Sequence, residues 1–326
     1  MTDTSIETRQ PTTAHRGRLV AILKAVVLFV VLAFVGWALV GQFKRIDWAT
    51  IEFRAAPVVV ATLLLVGVST VQMLSYRSLL GAYAAPPPWR AMAAVAWIPP
   101  LGKYVPGKVG ALVGAIYMLR RFGVPAAAAV SVVLVLDGLA VIAGLICGAP
   151  ILAWEPVRRV LPGGWIYAAV LIAGGLTVLH PSVFGRLANF CLRRLGRAPL
   201  AKLPDLSHYA VPVLCAFAQW LLAGLALWWM TRSVSDVPAR SIGLFISIAA
   251  LAMTVSYLAL FAPGGLGVRE AIYLGALAAI PGVGAKGAIV VALMRLAQTL
   301  VELGLAGLGW MLLHRSGAGS EPLNDR

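Results

Sequence analysis

Hydrophobic positions along this chain come in long unbroken runs, not in the short alternations of a soluble fold. A helix needs about 20 apolar residues to cross the hydrocarbon core of a bilayer. Runs near that length lie at about 19–41, 56–80, 125–150, 164–180, 208–231, 240–262 and 287–313. Two stretches depart from the pattern. Residues 91–118 are apolar but broken by Pro99, Pro100, Gly102, Pro106 and Gly107, and residues 266–281 are too short to cross and follow the break Pro263-Gly264-Gly265. Proline removes a backbone donor and glycine loosens the helix, so each break strands carbonyls and amides. Lipid cannot satisfy those groups, and such a break survives only inside protein or against a wet cavity. The pattern therefore predicts an all-α polytopic membrane bundle. It has six to seven spanning helices and two re-entrant or broken hairpins, at 91–118 and 240–281.

The breaks are near copies of one another. Pro106-Gly107-Lys108-Val109-Gly110 is matched by Pro263-Gly264-Gly265-Leu266-Gly267, 157 residues later from Pro106 to Pro263. A break repeated in two halves, with charge beside it, marks the binding site of internally duplicated transporters. The repeat halves are read at about 90–150 and 240–313. They lie in a single transmembrane domain, 19–313, between tails at 1–18 and 314–326. If both hairpins return to the side they enter from, three spans separate them and the halves form an inverted repeat. The segment 240–262 is long enough to cross alone, which would give seven spans and a parallel repeat.

Composition agrees with this class. The residues are 60% hydrophobic and only 12% charged, against roughly a quarter charged in a soluble domain. The net charge of +15 is spread over membrane-flanking loops, which indicates topology and anionic lipid rather than nucleic acid. In the six-span layout one side collects fourteen Lys and Arg residues, among them Arg77, Arg90, Arg120, Arg121 and the run Arg186 to Lys202, and the other side eight. The positive-inside bias makes the first side, with both termini, cytoplasmic. Cys147, Cys191 and Cys215 lack metal-site spacing, and no phosphate-loop, dinucleotide or nucleophile motif is present. No cofactor, metal or ATPase chemistry is therefore expected, and no oligomeric state is assigned. Nine of the ten tryptophans suit interface anchors, while Trp97 stands apart.

Ionisable side chains in a span cost about 2.5–3.5 kcal/mol on insertion scales and need a reason. Asp137 sits mid-segment, and Arg295 shares one helical face with Gln298, Thr299 and Glu302. An offset of 158, from Asp137 to Arg295, places an acid of one half opposite a base of the other, either as a buried ion pair or as a substrate site. Lys103, Lys108, Arg269 and Glu270 flank the breaks, where freed amides beside a cation suit an anion such as phosphate.

Two phrases carry a family resemblance. Lys103 to Gly110, continued by Tyr117-Met118-Leu119-Arg120-Arg121-Phe122-Gly123-Val124, is similar to one signature, and Ala262 to Ala271 to a second. Both resemble the flippase-like membrane region of bacterial lysylphosphatidylglycerol synthases and its stand-alone relatives, over residues 20–313. The family's acidic–basic pair ahead of the Asp137 position is replaced here by apolar Val133 to Leu136. The resemblance implies a protein of the bacterial inner membrane that is not an enzyme but a flippase or scramblase. Its cargo would be a phospholipid, lipid-linked glycan or isoprenoid phosphate, and its partner a lipid-biosynthesis enzyme. A membrane-embedded enzyme on lipid phosphates and a small-solute transporter are the alternatives.

Overall fold

The computed structural model describes residues 52–104, 109–194, 196, 199–200, 206–259 and 267–314. The apolar run at 19–41 and the two break tips, with Pro106, Gly107, Lys108, Pro263, Gly264 and Gly265, lie outside them. The described chain is helical throughout. Its α-helices are α1 (Ala55–Leu80), α2 (Trp89–Trp97), α3 (Val109–Arg121), α4 (Ala126–Gly148), α5 (Glu155–Val160), α6 (Gly164–Leu179), α7 (Pro181–Arg194), α8 (Leu206–Arg232), α9 (Ile242–Leu258), α10 (Val268–Ala278) and α11 (Gly287–His314). Five segments are long and apolar enough to cross a membrane: Ala55–Leu80, Ala126–Ala153, His208–Arg232, Ala239–Leu258 and Gly284–His314.

The span expected at 164–180 coincides with α6, of 16 residues, from which α7 bends by 91°; taken together the bent pair is a broken span, the sixth, or a re-entrant loop. At 1.5 Å per residue α6 covers only about 24 Å. Pro181 removes a donor and opens the bend. The second helix, α7, carries Arg186, Arg193 and Arg194 and buries Phe184.

Helices α1 and α8 run antiparallel as a central pair. The Arg54 amide at the start of α1 donates to the Ser233 carbonyl after α8 (2.9 Å), and Gly67 faces Leu222. Two buried clusters form on this pair. Tyr76, Leu79 and Leu80 of α1 and Tyr209 of α8 join α2, α3 and α4 in one, while Ala61 and Leu65 with Ala226 to Trp228 join α9, α10 and α11 in the other. Burying about 25 cal/mol per Å² explains such clusters in water, but in lipid close fit and internal hydrogen bonding hold helices together. Hydroxyls in the spans accordingly turn back on their own helices, as Thr62 does to the Val58 carbonyl and Thr70 to the Val66 carbonyl (2.8 and 2.9 Å).

The first break doubles the chain back. Pro99 and Pro100 end regular α-helix and open a 3-10 turn, Pro99–Tyr104. Beyond the tip, α3 retraces this path: Gly110 lies against Gly102, and Gly114 against Pro99. A Cβ on Gly102 would come within 2.5 Å of the Gly110 carbonyl carbon, so the two backbones touch. The return ends in a helix stop at Gly123, with φ of 80°, where the Val124 amide reaches the Leu119 carbonyl (3.2 Å) and Leu119 and Val124 are both buried. The second break also folds back, for Arg269 of α10 touches Met253 of α9.

These fold-backs start from opposite ends of the bundle. Arg77 near the end of α1 donates to the Pro87 carbonyl (2.6 Å) and stacks 4.1 Å from the Trp89 ring, which anchors the start of α2 there. At the other end Arg54 pairs with Asp236 (2.5 Å), and Ser235 bonds to the Gly282 carbonyl (2.7 Å) beside the returning end of α10. The Arg54 guanidinium, on this exposed end, holds the Asp236 carboxyl below its usual range.

Gly102→Ala and Gly110→Ala each force touching backbones apart, an overpacking that costs about 1–3 kcal/mol or more. Both should lower the melting temperature of the detergent-solubilised protein. Gly174→Ala and Gly304→Ala, where a new methyl meets nothing within 4 Å, should not. Equal melting of all four would show that the fold-back is not held by glycine contact.

Candidate functional site

Between the fold-backs lies a cavity of about 340 Å³. It is walled by α1 (Ser69, Gln72, Tyr76), α2 and its 3-10 extension (Trp97, Lys103), α4 (Asp137), α8 (Gln219, Trp220), α9 (Met253, Thr254, Tyr257) and α11 (Gln298, Glu302). Two indoles pin its walls to neighbouring backbone: Trp97 Nε1 donates to the Ser69 carbonyl (3.2 Å) and Trp220 Nε1 to the Ala140 carbonyl (2.9 Å). Trp97 thus departs from the interface belt as its position suggested. Trp220, expected as an interface anchor, is instead a wall of the cavity, because its segment passes mid-bundle where an indole N–H needs a protein acceptor.

A chain of charged and amide groups runs from this wall to the second break. Lys103 forms an ion pair with Glu302. The same Glu302 oxygen accepts from Gln298 Nε2 (3.1 Å), and Gln298 Oε1 accepts from Arg269 Nη1 (2.5 Å). Arg269 Nη2 donates to Glu270 Oε1 (3.1 Å), which Arg295 Nη1 also reaches (3.4 Å). The other carboxylate oxygen of Glu270 accepts from the Gly267 amide (2.8 Å). Gly267 has φ of 88°, a backbone that glycine adopts without strain, and it turns its N–H onto the carboxylate at the start of α10. Arg269 and Glu270 are 6% and 7% exposed, so their charges are compensated inside the protein or not at all.

Five of the residues singled out by sequence, Lys103, Arg269, Glu270, Arg295 and Glu302, therefore meet in one network. Within it they differ in place. Lys103 and Glu302 face the cavity, while Arg269, Glu270 and Arg295 stand behind Gln298. The expected opposition of Asp137 and Arg295 is not an ion pair. Arg295 turns to Glu270, and Asp137 lies on the far cavity wall, hydrogen-bonded to the Tyr257 side chain, with no ion pair among the described residues. Gly110 and Gly267 serve close approach and turning, as described. Lys108, Pro106, Gly107, Pro263, Gly264 and Gly265 fall outside the described residues.

Sequence reasoning missed Gln72, Tyr76, Gln219, Thr254 and Tyr257 and gave Gln298 no task. Each interrupts an apolar run with one neutral polar group, a weak sign beside a charge. The Thr254 hydroxyl is buried, lines the cavity and has no hydrogen-bond partner, so the cavity wall holds an unused polar group. Among the described residues no group of His, Cys, Asp or Glu is placed to hold a metal ion.

The sequence profile described as the lysylphosphatidylglycerol synthase TM region matches residues 19–307. The chain belongs to this family. Comparison with curated proteins gave no match. The family region takes in both fold-backs and every network residue, from Lys103 to Glu302, so the network is built wholly within it.

Removing Glu270 should be far costlier than neutralising Glu302. Glu270→Ala leaves two arginines and the Gly267 amide without their acceptor, and breaking a buried charge pair costs about 3–5 kcal/mol. Glu302→Gln keeps an oxygen acceptor for Lys103 and Gln298. Thermal unfolding of the two variants followed by size-exclusion should show a large drop only for the first. A larger drop for Glu302→Gln would put the weight of the network on the wrong carboxylate.

Proposed function

We propose that this protein moves a phosphate-bearing lipid between the leaflets of the membrane, as a flippase or scramblase rather than an enzyme. One observation carries the reading: a cavity-facing lysine, held by a carboxylate and backed by two arginines, stands between fold-backs that start from opposite ends of the bundle. A phosphate can take the place of the Glu302 carboxylate on Lys103, because both are oxyanions with the same demand for donors. Arg269 and Arg295 strengthen the site through Gln298 and Glu270 without touching the guest. A volume of about 340 Å³ suits a headgroup and not acyl chains, which would stay in the bilayer.

Opposed fold-backs supply the two faces. Each break is followed by a short helix and then a long one, α3 and α4 after the first and α10 and α11 after the second. We take the halves as an inverted repeat, with rocking of one against the other opening the cavity to alternate leaflets. The end that carries Arg77, Arg90, Arg120, Arg121 and α7 has no acidic residue among the described residues, and the opposite end has Glu52, Glu155 and Asp236. We take the first end as cytoplasmic in a bacterial inner membrane from the sequence count of fourteen Lys and Arg residues against eight. A lipid-biosynthesis enzyme would deliver cargo on that side.

The test is headgroup protection in proteoliposomes with a fluorescent phospholipid. Lys103→Gln should slow its movement by about tenfold or more, matching loss of one charge-assisted hydrogen bond of ~1.5–3 kcal/mol. Lys103→Arg should keep much of the rate. Chemical analysis of the recovered lipid should find it unchanged, since a new product would reveal an enzyme. Parental movement by Lys103→Gln at equal insertion would remove the phosphate site from the account.

A further inference from the structure

Asp137 is the one cavity-lining carboxylate without a cationic partner among the described residues. It lies within α4, in the middle of a span. The groups that face it are the phenols of Tyr257 from α9 and Tyr76 from α1, and across the cavity Lys103 and Glu302 face each other. Among the described residues, no charged side chain from α3, α6, α7 or α8 lines this wall. Glu270, by contrast, accepts from one backbone amide and two guanidiniums and is fixed as an anion.

Among the described residues, the charges around the cavity do not balance without Asp137. Lys103, Arg269 and Arg295 bring three positive charges, and Glu270 and Glu302 two negative ones. An ionised Asp137 brings the empty site to neutrality. A singly charged phosphate diester then adds one negative charge at membrane depth, where uncompensated charge is expensive. Neutrality returns if the Asp137 carboxylate takes up a proton as the phosphate arrives.

We infer that Asp137 is a proton-binding site coupled to the anion site, so that a monoanionic lipid phosphate and a proton load together and cross together. This rests on the lipid-translocation reading above. Linkage makes the coupling reciprocal: acid on the loading side tightens lipid binding, and lipid raises the proton affinity of Asp137. An inward proton gradient would accordingly drive the headgroup toward the cytoplasmic leaflet. A zwitterionic lipid carries its own positive charge and needs no proton.

Proteoliposomes containing a phosphatidylglycerol probe and an internal pH dye test this. With the parent, acidifying the loading side should speed lipid movement about fivefold or more, the ordinary size of such couplings. Proton uptake should accompany it. Asp137→Asn should lose both the pH response and the proton uptake. Infrared difference spectra should show a carboxylic-acid carbonyl band that appears on adding lipid to the parent and is missing from Asp137→Asn, a readout independent of transport. Tyr257→Phe, which removes the hydroxyl facing Asp137, should shift the pH response without abolishing it. Lipid movement by the parent at a rate blind to the gradient, or a gradient response that survives in Asp137→Asn, overturns the coupling and leaves lipid translocation standing. Equal pH dependence for a phosphatidylethanolamine probe also overturns it, since the charge argument excludes that result. If soluble glycerophosphodiesters drive proton uptake and no lipid moves, the lipid reading fails and the proton site belongs to a solute transporter.

Discussion

A polar group at membrane depth is costly unless it finds a partner inside the protein or faces the cavity. The two breaks sharpen that demand, because proline and glycine free backbone amides and carbonyls that lipid cannot satisfy. The rest of the site follows from meeting it. Gly267 turns its amide onto Glu270, Glu270 needs cations and receives Arg269 and Arg295, and the second acceptor on Arg269 is Gln298. Gln298 passes to Glu302, and Glu302 holds Lys103 beside the other break. A local need at one fold-back is thereby tied, through one face of α11, to the other fold-back.

Much of this was legible in the residue pattern. Long apolar runs fixed the helical membrane class, and Pro99-Pro100 with Gly102 and Gly110 marked where α2 and α3 fold back. The i, i+3, i+7 spacing of Arg295, Gln298 and Glu302 showed that one face of α11 looks into the bundle. What the pattern could not supply was who meets whom across helices. Equal spacing in two halves set Asp137 against Arg295, yet contacts depend on how helices are rotated and how deep they sit. Arg295 found a nearer anion in Glu270. The bend within 164–194 was also hidden, since apolar α6 reads like a span and the pattern does not show the turn at Pro181.

Membrane-depth charge thus divides into two kinds here. Glu270, Arg269 and Arg295 satisfy one another and hold α10 to α11. Lys103, Glu302 and Asp137 border the cavity, and neutral polar groups such as Gln72, Gln219 and Thr254 share their walls. On the proposed reading, stability and binding are carried by neighbouring but different residues, which lets each be altered separately.

The account stands or falls on whether a lipid headgroup occupies that cavity. Site-specific photo-cross-linking answers this most directly. A photoreactive residue at Trp97, inside the cavity, should capture phospholipid in membranes, and Lys103→Gln should abolish that capture. The same residue at Leu300, exposed on the outer face of α11, should capture lipid in both backgrounds. Capture at Leu300 without capture at Trp97, or capture at Trp97 unchanged by Lys103→Gln, would contradict the claim.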